Sequence, residues 1–311
     1  MNSFNPNPYQ DSNILRQTPP QYLAQSNNSN QSQYNVQLSR NKFRIYNIFN
    51  QEQICTDDEC NNSQDKVAAE LYRAAKKVYK FFKEILDVNG IDGHGNVANF
   101  YINWQVDNAV WNCTTSYINK QCVFRFNNKY AVASEVVAHE YFHAIIHNKL
   151  NHVREPGALN ESLADVFAIA FKNWEIDKDN IKSYWTMKTE KETSWSIGEL
   201  RDISKSITIQ EFQYLKTNEQ LAKENDYGYV HDNSLIPSHA FYLATILSGN
   251  DIPKIAEIWF KASQELEFNE TFASFALKTV KIAQTVNKQM QGIVGQAWVT
   301  VGVLNYTGTS Q

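Results

Sequence analysis

Residues 134–146 read Ser-Glu-Val-Val-Ala-His-Glu-Tyr-Phe-His-Ala-Ile-Ile, and the five at their centre, His139-Glu140-Tyr141-Phe142-His143, decide how the rest of the chain is read. Two histidines four apart fall on one face of an α-helix, where both imidazoles can reach a single metal ion. The surroundings support a helix. Val136, Val137 and Ala138 precede the first histidine, Ala144, Ile145 and Ile146 carry the apolar stripe past the second, and Ser134 is placed to cap the start. Glu140, next to the first imidazole, can take a proton from a metal-bound water without entering the coordination shell. Together these residues imply metal-assisted hydrolysis.

A catalytic zinc takes three protein ligands and keeps one position open, so a third ligand is expected elsewhere. Glu161, in Gly157-Ala158-Leu159-Asn160-Glu161-Ser162-Leu163-Ala164-Asp165, is the best candidate. After a break at Pro156-Gly157, the residues Leu159, Leu163, Val166, Phe167 and Ala170 form a helical apolar stripe. Glu161 and Asp165 then lie one turn apart on a shared face. One carboxylate can bind zinc while the other accepts the far N–H of a ligating histidine, which fixes the ring tautomer.

In this order the motifs resemble the thermolysin-like metallopeptidases, in which a zinc helix is followed by a helix with Asn-Glu, three residues and Asp. The resemblance extends over most of the chain from about residue 40, and is nearest the protealysin-like members with a short propeptide. Asp107-Asn108-Ala109-Val110-Trp111 is similar to the edge strand that pairs with substrate, preceded by the turn Ile91-Asp92-Gly93-His94-Gly95. Gly198-Glu199-Leu200-Arg201-Asp202 resembles the segment whose Arg holds a substrate carbonyl, and Asp226-Tyr227-Gly228-Tyr229-Val230-His231 the one carrying a second catalytic histidine. Gln296-Ala297-Trp298 through Gly302-Val303 resembles the C-terminal helix.

Carried over residue by residue, the resemblance implies one zinc ion on His139, His143 and Glu161, with Asp165 orienting His139 and Asn160 supporting the site. Glu140 would activate the zinc-bound water and relay its proton to the departing amine. His231, held by Asp226, would donate to the developing oxyanion. Asn108, the Ala109 carbonyl and Arg201 would align a polypeptide as an added strand. Val136 and Leu200 match the primary specificity pocket, so cleavage is expected before bulky apolar residues.

The chain departs from the family at several positions. Where a tyrosine usually assists the oxyanion, the simplest register puts His152, in a loop two residues shorter than usual; its imidazolium could serve instead. Lys172 and Lys178 fall near positions where the family builds a double calcium site, so the paired site is expected to be absent, other calcium remaining open. Glu135 survives at one such position as an acid in the first turn of a helix. Cys113-Thr114-Thr115-Ser116-Tyr117-Ile118-Asn119-Lys120-Gln121-Cys122 replaces a glycine-rich stretch. The four cysteines read as disulfides in an oxidising compartment; of the three pairings that four cysteines allow, one joins Cys113 to Cys122 across a hairpin and Cys55 to Cys60, and sequence leaves the connectivity open. Free buried thiols are the alternative.

Residues 1–40 are rich in Asn, Gln, Ser and Pro and cannot bury enough apolar surface to fold alone. Thr18-Pro19-Pro20-Gln21-Tyr22-Leu23 resembles a segment of the protealysin-like propeptides, so the tail is expected to be either a removable pro-segment or plain disorder. No signal-peptide core follows Met1 and no run is long enough to span a membrane, which points to export without a classical signal, or to cytoplasmic retention. A net charge of −4 gives no footprint for nucleic acid, and the Lys-rich helix near residues 73–83 reads as a solvated face. The expected architecture is α+β and two-lobed. After the tail comes an N-terminal lobe at 41–150, a twisted and largely antiparallel sheet ending in the zinc helix, then a mainly α-helical C-terminal lobe at 151–311. The expected protein is a monomeric zinc endopeptidase. Two other readings stand beside it: a catalytically degenerate binding protein on the same fold, and a zinc aminopeptidase.

Overall fold

Phe43-Arg44-Ile45-Tyr46-Asn47 alternates apolar and polar, and in the computed structural model it forms strand β1 (Phe43–Asn47), with Phe43 and Ile45 turned into the core. The structure describes residues 42–113, 121–176, 195–197 and 201–305. The expectations for residues 1–40, for Leu200 and for Lys178 lie outside them. Strands β2 (Gln53–Thr56), β3 (Ala98–Ile102), β4 (Ala109–Cys113) and β5 (Cys122–Phe126) join β1 in one sheet of order β2-β1-β3-β5-β4.

The pairing of this sheet corrects the largely antiparallel arrangement expected from sequence. β1·β2 and β4·β5 are antiparallel, but the inner pairs β1·β3 and β3·β5 are parallel. Parallel neighbours need a long crossover. Helix α1 (Lys66–Leu86), between β2 and β3, supplies one; Asp65 caps it by accepting from the Ala68 N–H at 3.0 Å, and Leu71, Ala75, Val78 and Phe82 are buried on its inner face. Both expected disulfides, Cys55–Cys60 and Cys113–Cys122, are formed.

A single turn, α2 (Asn128–Ala131), leads into α3 (Ser134–Ile145), which carries both motif histidines. Ser134 does not cap α3; Ala133 is the capping residue, and the Ser134 hydroxyl donates instead to Glu175 of α4 (Arg154–Ile176) at 2.8 Å. A charge-assisted bond to a carboxylate outweighs a neutral one to a backbone amide. The Pro156-Gly157 pair is no break either. Both lie in the first turn of α4, where proline removes no helical hydrogen bond. Gly157 is needed for a close approach, since a Cβ there would stand 2.6 Å from the His152 carbonyl carbon. Phe142 and Phe167 stack at 4.1 Å between α3 and α4, a contact worth about 1 kcal/mol beyond area burial.

Near the start of α3 a lysine sits among acids. Lys172 Nζ lies 3.3 Å from Glu135 and 3.4 Å from Glu175, and Lys77 reaches Glu175 at 2.8 Å. Lys172→Met would leave Glu135 facing Glu175 with one cation fewer. Since the Lys172 side chain is 31% exposed, the expected loss is about 1–2 kcal/mol, below the 3–5 kcal/mol range for fully buried pairs. Urea unfolding reads it directly, and an unshifted midpoint would show that water screens the cluster.

The two-stranded ribbon β6 (Ser196–Ile197) and β7 (Arg201–Asp202) pairs Ile197 with Arg201. Four helices follow. In α5 (Asp226–Leu247), Tyr227, Gly228 and Tyr229 have left-handed backbones, so regular helix begins near Val230. α6 (Ile252–Gln264) and α7 (Phe272–Val286) are capped by Asp251 and Thr271, and α8 (Lys288–Thr300) ends the described fold. Trp259 and Trp298 stack at 5.9 Å, and the Trp298 ring N–H donates to Thr279 at 2.8 Å. This is the thermolysin-like arrangement of a sheet-bearing N-terminal part and a mainly helical C-terminal part, and the described residues form one compact unit. No helix among the described residues is long and apolar enough to cross a membrane.

Candidate metal centre and active site

The four-residue spacing on α3 brings His139 and His143 together, their Nε2 atoms 3.0 Å apart. Glu161, from the second turn of α4, completes a triangle: Oε2 lies 3.4 Å from His139 Nε2 and Oε1 lies 3.5 Å from His143 Nε2. Each ring is held from behind. His139 Nδ1 faces Asp165 Oδ1 at 2.9 Å, and His143 Nδ1 faces Asn160 Oδ1 at 3.0 Å. Those partners assign a ring proton to each Nδ1, so that once the His139 Nε2 proton is released two Nε2 lone pairs converge beside a carboxylate. Such a set of two nitrogens and one oxygen, buried at His139 and half-buried at His143 and Glu161, calls for a cation, and it suits zinc.

The electrostatics of the metal-free protein agree. Burial opposes the His139 cation, but the Asp165 and Glu161 carboxylates overcome it and raise its pKa to about 9. Burial pushes His143 down to about 4, so this ring is neutral. Glu161 is desolvated, yet His231, His143 and His139 together hold its carboxyl well below the usual range. Glu140 moves the other way, raised mainly by burial. Two acids in one cleft are thus driven apart, one fixed as an anion and one poised to accept a proton.

Glu140 is held by a partner invisible in side-chain motifs: the Trp111 backbone N–H donates to its Oε2 at 2.7 Å. β4 is an edge strand, and alternation along it turns the backbone N–H and C=O groups of Ala109 and Trp111 to the same open side, away from β5. Asn108 is exposed and its side chain folds back to accept from the Ala109 N–H at 2.9 Å. Val136 is half-buried in the first turn of α3.

His231 comes from the start of α5. Asp226 grips it twice, at its backbone N–H and at Nδ1, both 2.8 Å, and Nε2 points to Glu161 Oε2 at 3.2 Å. The Glu161 charge, against the cost of burial and with help from Asp226, raises His231 to about 10 in this metal-free arrangement. Arg201, on β7, lies 3.3 Å from Glu161 and 3.1 Å from Asp165. His152 is linked to His143 through Asn160, whose Nδ2 donates to His152 Nδ1 at 2.8 Å. Of the residues singled out in sequence, the structure therefore gathers His139, His143, Glu161, Asp165, Asn160, Glu140, Arg201, His231, Asp226 and His152 around one cleft. The Trp111 amide was missed because a main-chain donor carries no residue signature.

A zinc-type donor triangle on two packed helices, with a buried glutamate and an edge strand beside it, defines a metallopeptidase. Residues 13–147 match the model of the thermolysin metallopeptidase catalytic domain, and residues 148–303 that of the thermolysin metallopeptidase α-helical domain. The chain belongs to the thermolysin family and is a zinc metalloendopeptidase. It is 33% identical over 260 residues to an extracellular metalloprotease of Pectobacterium carotovorum, covering 77% of this chain and 73% of the relative. Protease PrtS of a Photorhabdus strain is 27% identical over 275 residues, covering 79% and 71%. Among solved structures, the precursor of protealysin, a metalloproteinase from Serratia proteamaculans, is similar with a TM-score of 0.69 at 27% identity, covering 84% of this chain and 87% of that one.

Proposed function

We propose that the chain cuts internal peptide bonds before bulky apolar residues, with His139, His143 and Glu161 holding one zinc ion. The carrying observation is the convergence of the two Nε2 atoms and the Glu161 carboxylate, each ring backed by a fixed acceptor. When bound, zinc supplies a Lewis acid that polarises the scissile carbonyl and acidifies the attacking water. Glu140, raised by burial and steadied by the Trp111 amide, takes the proton of that water and passes it to the departing amine. His231, oriented by Asp226, presents Nε2–H to the oxyanion, a donor worth about 3 kcal/mol in such sites. The open edge of β4 offers backbone groups at Ala109 to an extended substrate, with Asn108 and Arg201 as further contacts, and the family resemblance assigns Val136 and Leu200 to the pocket for the residue after the cut. His152 is linked to the centre through Asn160, and His231 is the more direct donor to the oxyanion.

Digesting a denatured protein and sequencing the fragments tests specificity. New N-termini should be dominated by Leu, Ile, Phe and Val, and a set dominated by charged or small residues contradicts the pocket assignment. The Lys172 ammonium between Glu135 and Glu175 supports the absence of a paired calcium site. The extracellular relative supports an exported enzyme, and the precursor form of the solved one supports residues 1–40 as a removable pro-segment.

A further inference from the structure

Cys113 closes β4 and Cys122 opens β5, directly opposite each other in the antiparallel register, and the two are bridged. A third group meets them. His147, two residues past the end of α3, brings Nε2 to 3.2 Å from Cys113 Sγ, its ring edge-on to Trp111 at 6.0 Å. A disulfide sulfur is only a weak hydrogen-bond acceptor. Two sulfurs and an imidazole are, however, a donor set for zinc and softer divalent ions. One ligand atom from each residue lies within 4.8 Å of the others, and all three residues are half-buried, within reach of solvent. Cys55 and Cys60, by contrast, are 7% and 0% exposed.

We propose that reduction of the Cys113–Cys122 bridge opens a second metal site, in which Cys113, Cys122 and His147 bind one zinc-class divalent ion. The reductant is a dithiol. Its thiolate attacks one sulfur of the bridge, the S–S bond breaks, and the second thiol resolves the mixed disulfide. Two electrons and two protons pass to the protein, and the reductant leaves as a disulfide. Metal binding then releases both cysteine protons to solvent, while neutral His147 contributes its Nε2 lone pair. The site is separate from the catalytic triangle but connected to it. Trp111, two residues before Cys113, gives its N–H to Glu140, so an ion here ties the substrate-side strand to the end of the zinc helix.

Cobalt(II) titration tests this on the full chain, reduced with a dithiol and desalted without oxygen. Cobalt on the catalytic ligands carries no thiolate, so a sulfur-to-cobalt charge-transfer band reports the second site alone. The band is expected in reduced protein, absent from oxidised protein, and retained when Cys55 and Cys60 are both changed to Ser. His147→Ala should weaken cobalt binding at least about tenfold, the lower end of what even supporting-residue changes cost. A reduced protein with no such band, or a band that survives the Cys113→Ser, Cys122→Ser double change, overturns the proposal; that double variant needs no bridge, and circular dichroism confirms its fold.

Discussion

Glu140→Gln is expected to lower kcat by about 10³–10⁴-fold while the protein keeps one zinc per chain. The amide is nearly isosteric with the carboxylate, so the Trp111 N–H retains an acceptor at the 2.7 Å position and the fold around it is undisturbed. What disappears is proton affinity. Glu140 is buried at 6% exposure and its pKa is raised, the condition of a side chain that takes a proton readily and returns it. Since Glu140 is not one of the three converging donors, metal content should not follow activity down. Paired kinetics and metal analysis separate the outcomes: full turnover in the variant removes Glu140 from the mechanism, and loss of zinc would make it a ligand. The same variant distinguishes a working enzyme from a degenerate binding protein, which would show no turnover to lose.

Zinc affinity is expected to fall at least tenfold for each pH unit below about 9, hence at least about 100-fold between pH 8 and pH 6. The sign follows from His139. Its pKa in the metal-free protein is raised to about 9 by Asp165 and Glu161, so over this range its proton must leave before the ring can ligate. His143, lowered to about 4, is already neutral, and Glu161 is already an anion, so neither adds to the slope. His231 can only steepen it, because zinc draws off the Glu161 charge that holds His231 near 10. Competition against a chelator of known proton dependence measures this, and a flat affinity between pH 6 and 8 would mean that His139 is not the titrating ligand.

The metal helix and its partner were legible because both signals are periodic: a spacing of four from His139 to His143 and of four from Glu161 to Asp165, each riding an apolar stripe. Long-range placement was less so. Parallel pairing of β1, β3 and β5 depends on where α1 delivers the chain, which the alternation within each strand does not encode. Ser134 has an N-cap composition, but the cap was overridden by Glu175, 41 residues away. Pro156 and Gly157 read as a stop, yet three-dimensional context made them a first helical turn, with Gly157 clearing the His152 carbonyl. The Trp111 amide and the meeting of His147 with Cys113 are contacts between segments that nothing local announces.

A crystal structure of the zinc-loaded chain with anomalous data at the zinc absorption edge is the most direct test. The expected result is one strong peak bonded to His139 Nε2, His143 Nε2 and a Glu161 carboxylate oxygen, at about 2.0–2.2 Å from each. A fully loaded crystal with no peak among those three atoms, or with the zinc held by other side chains, would contradict it.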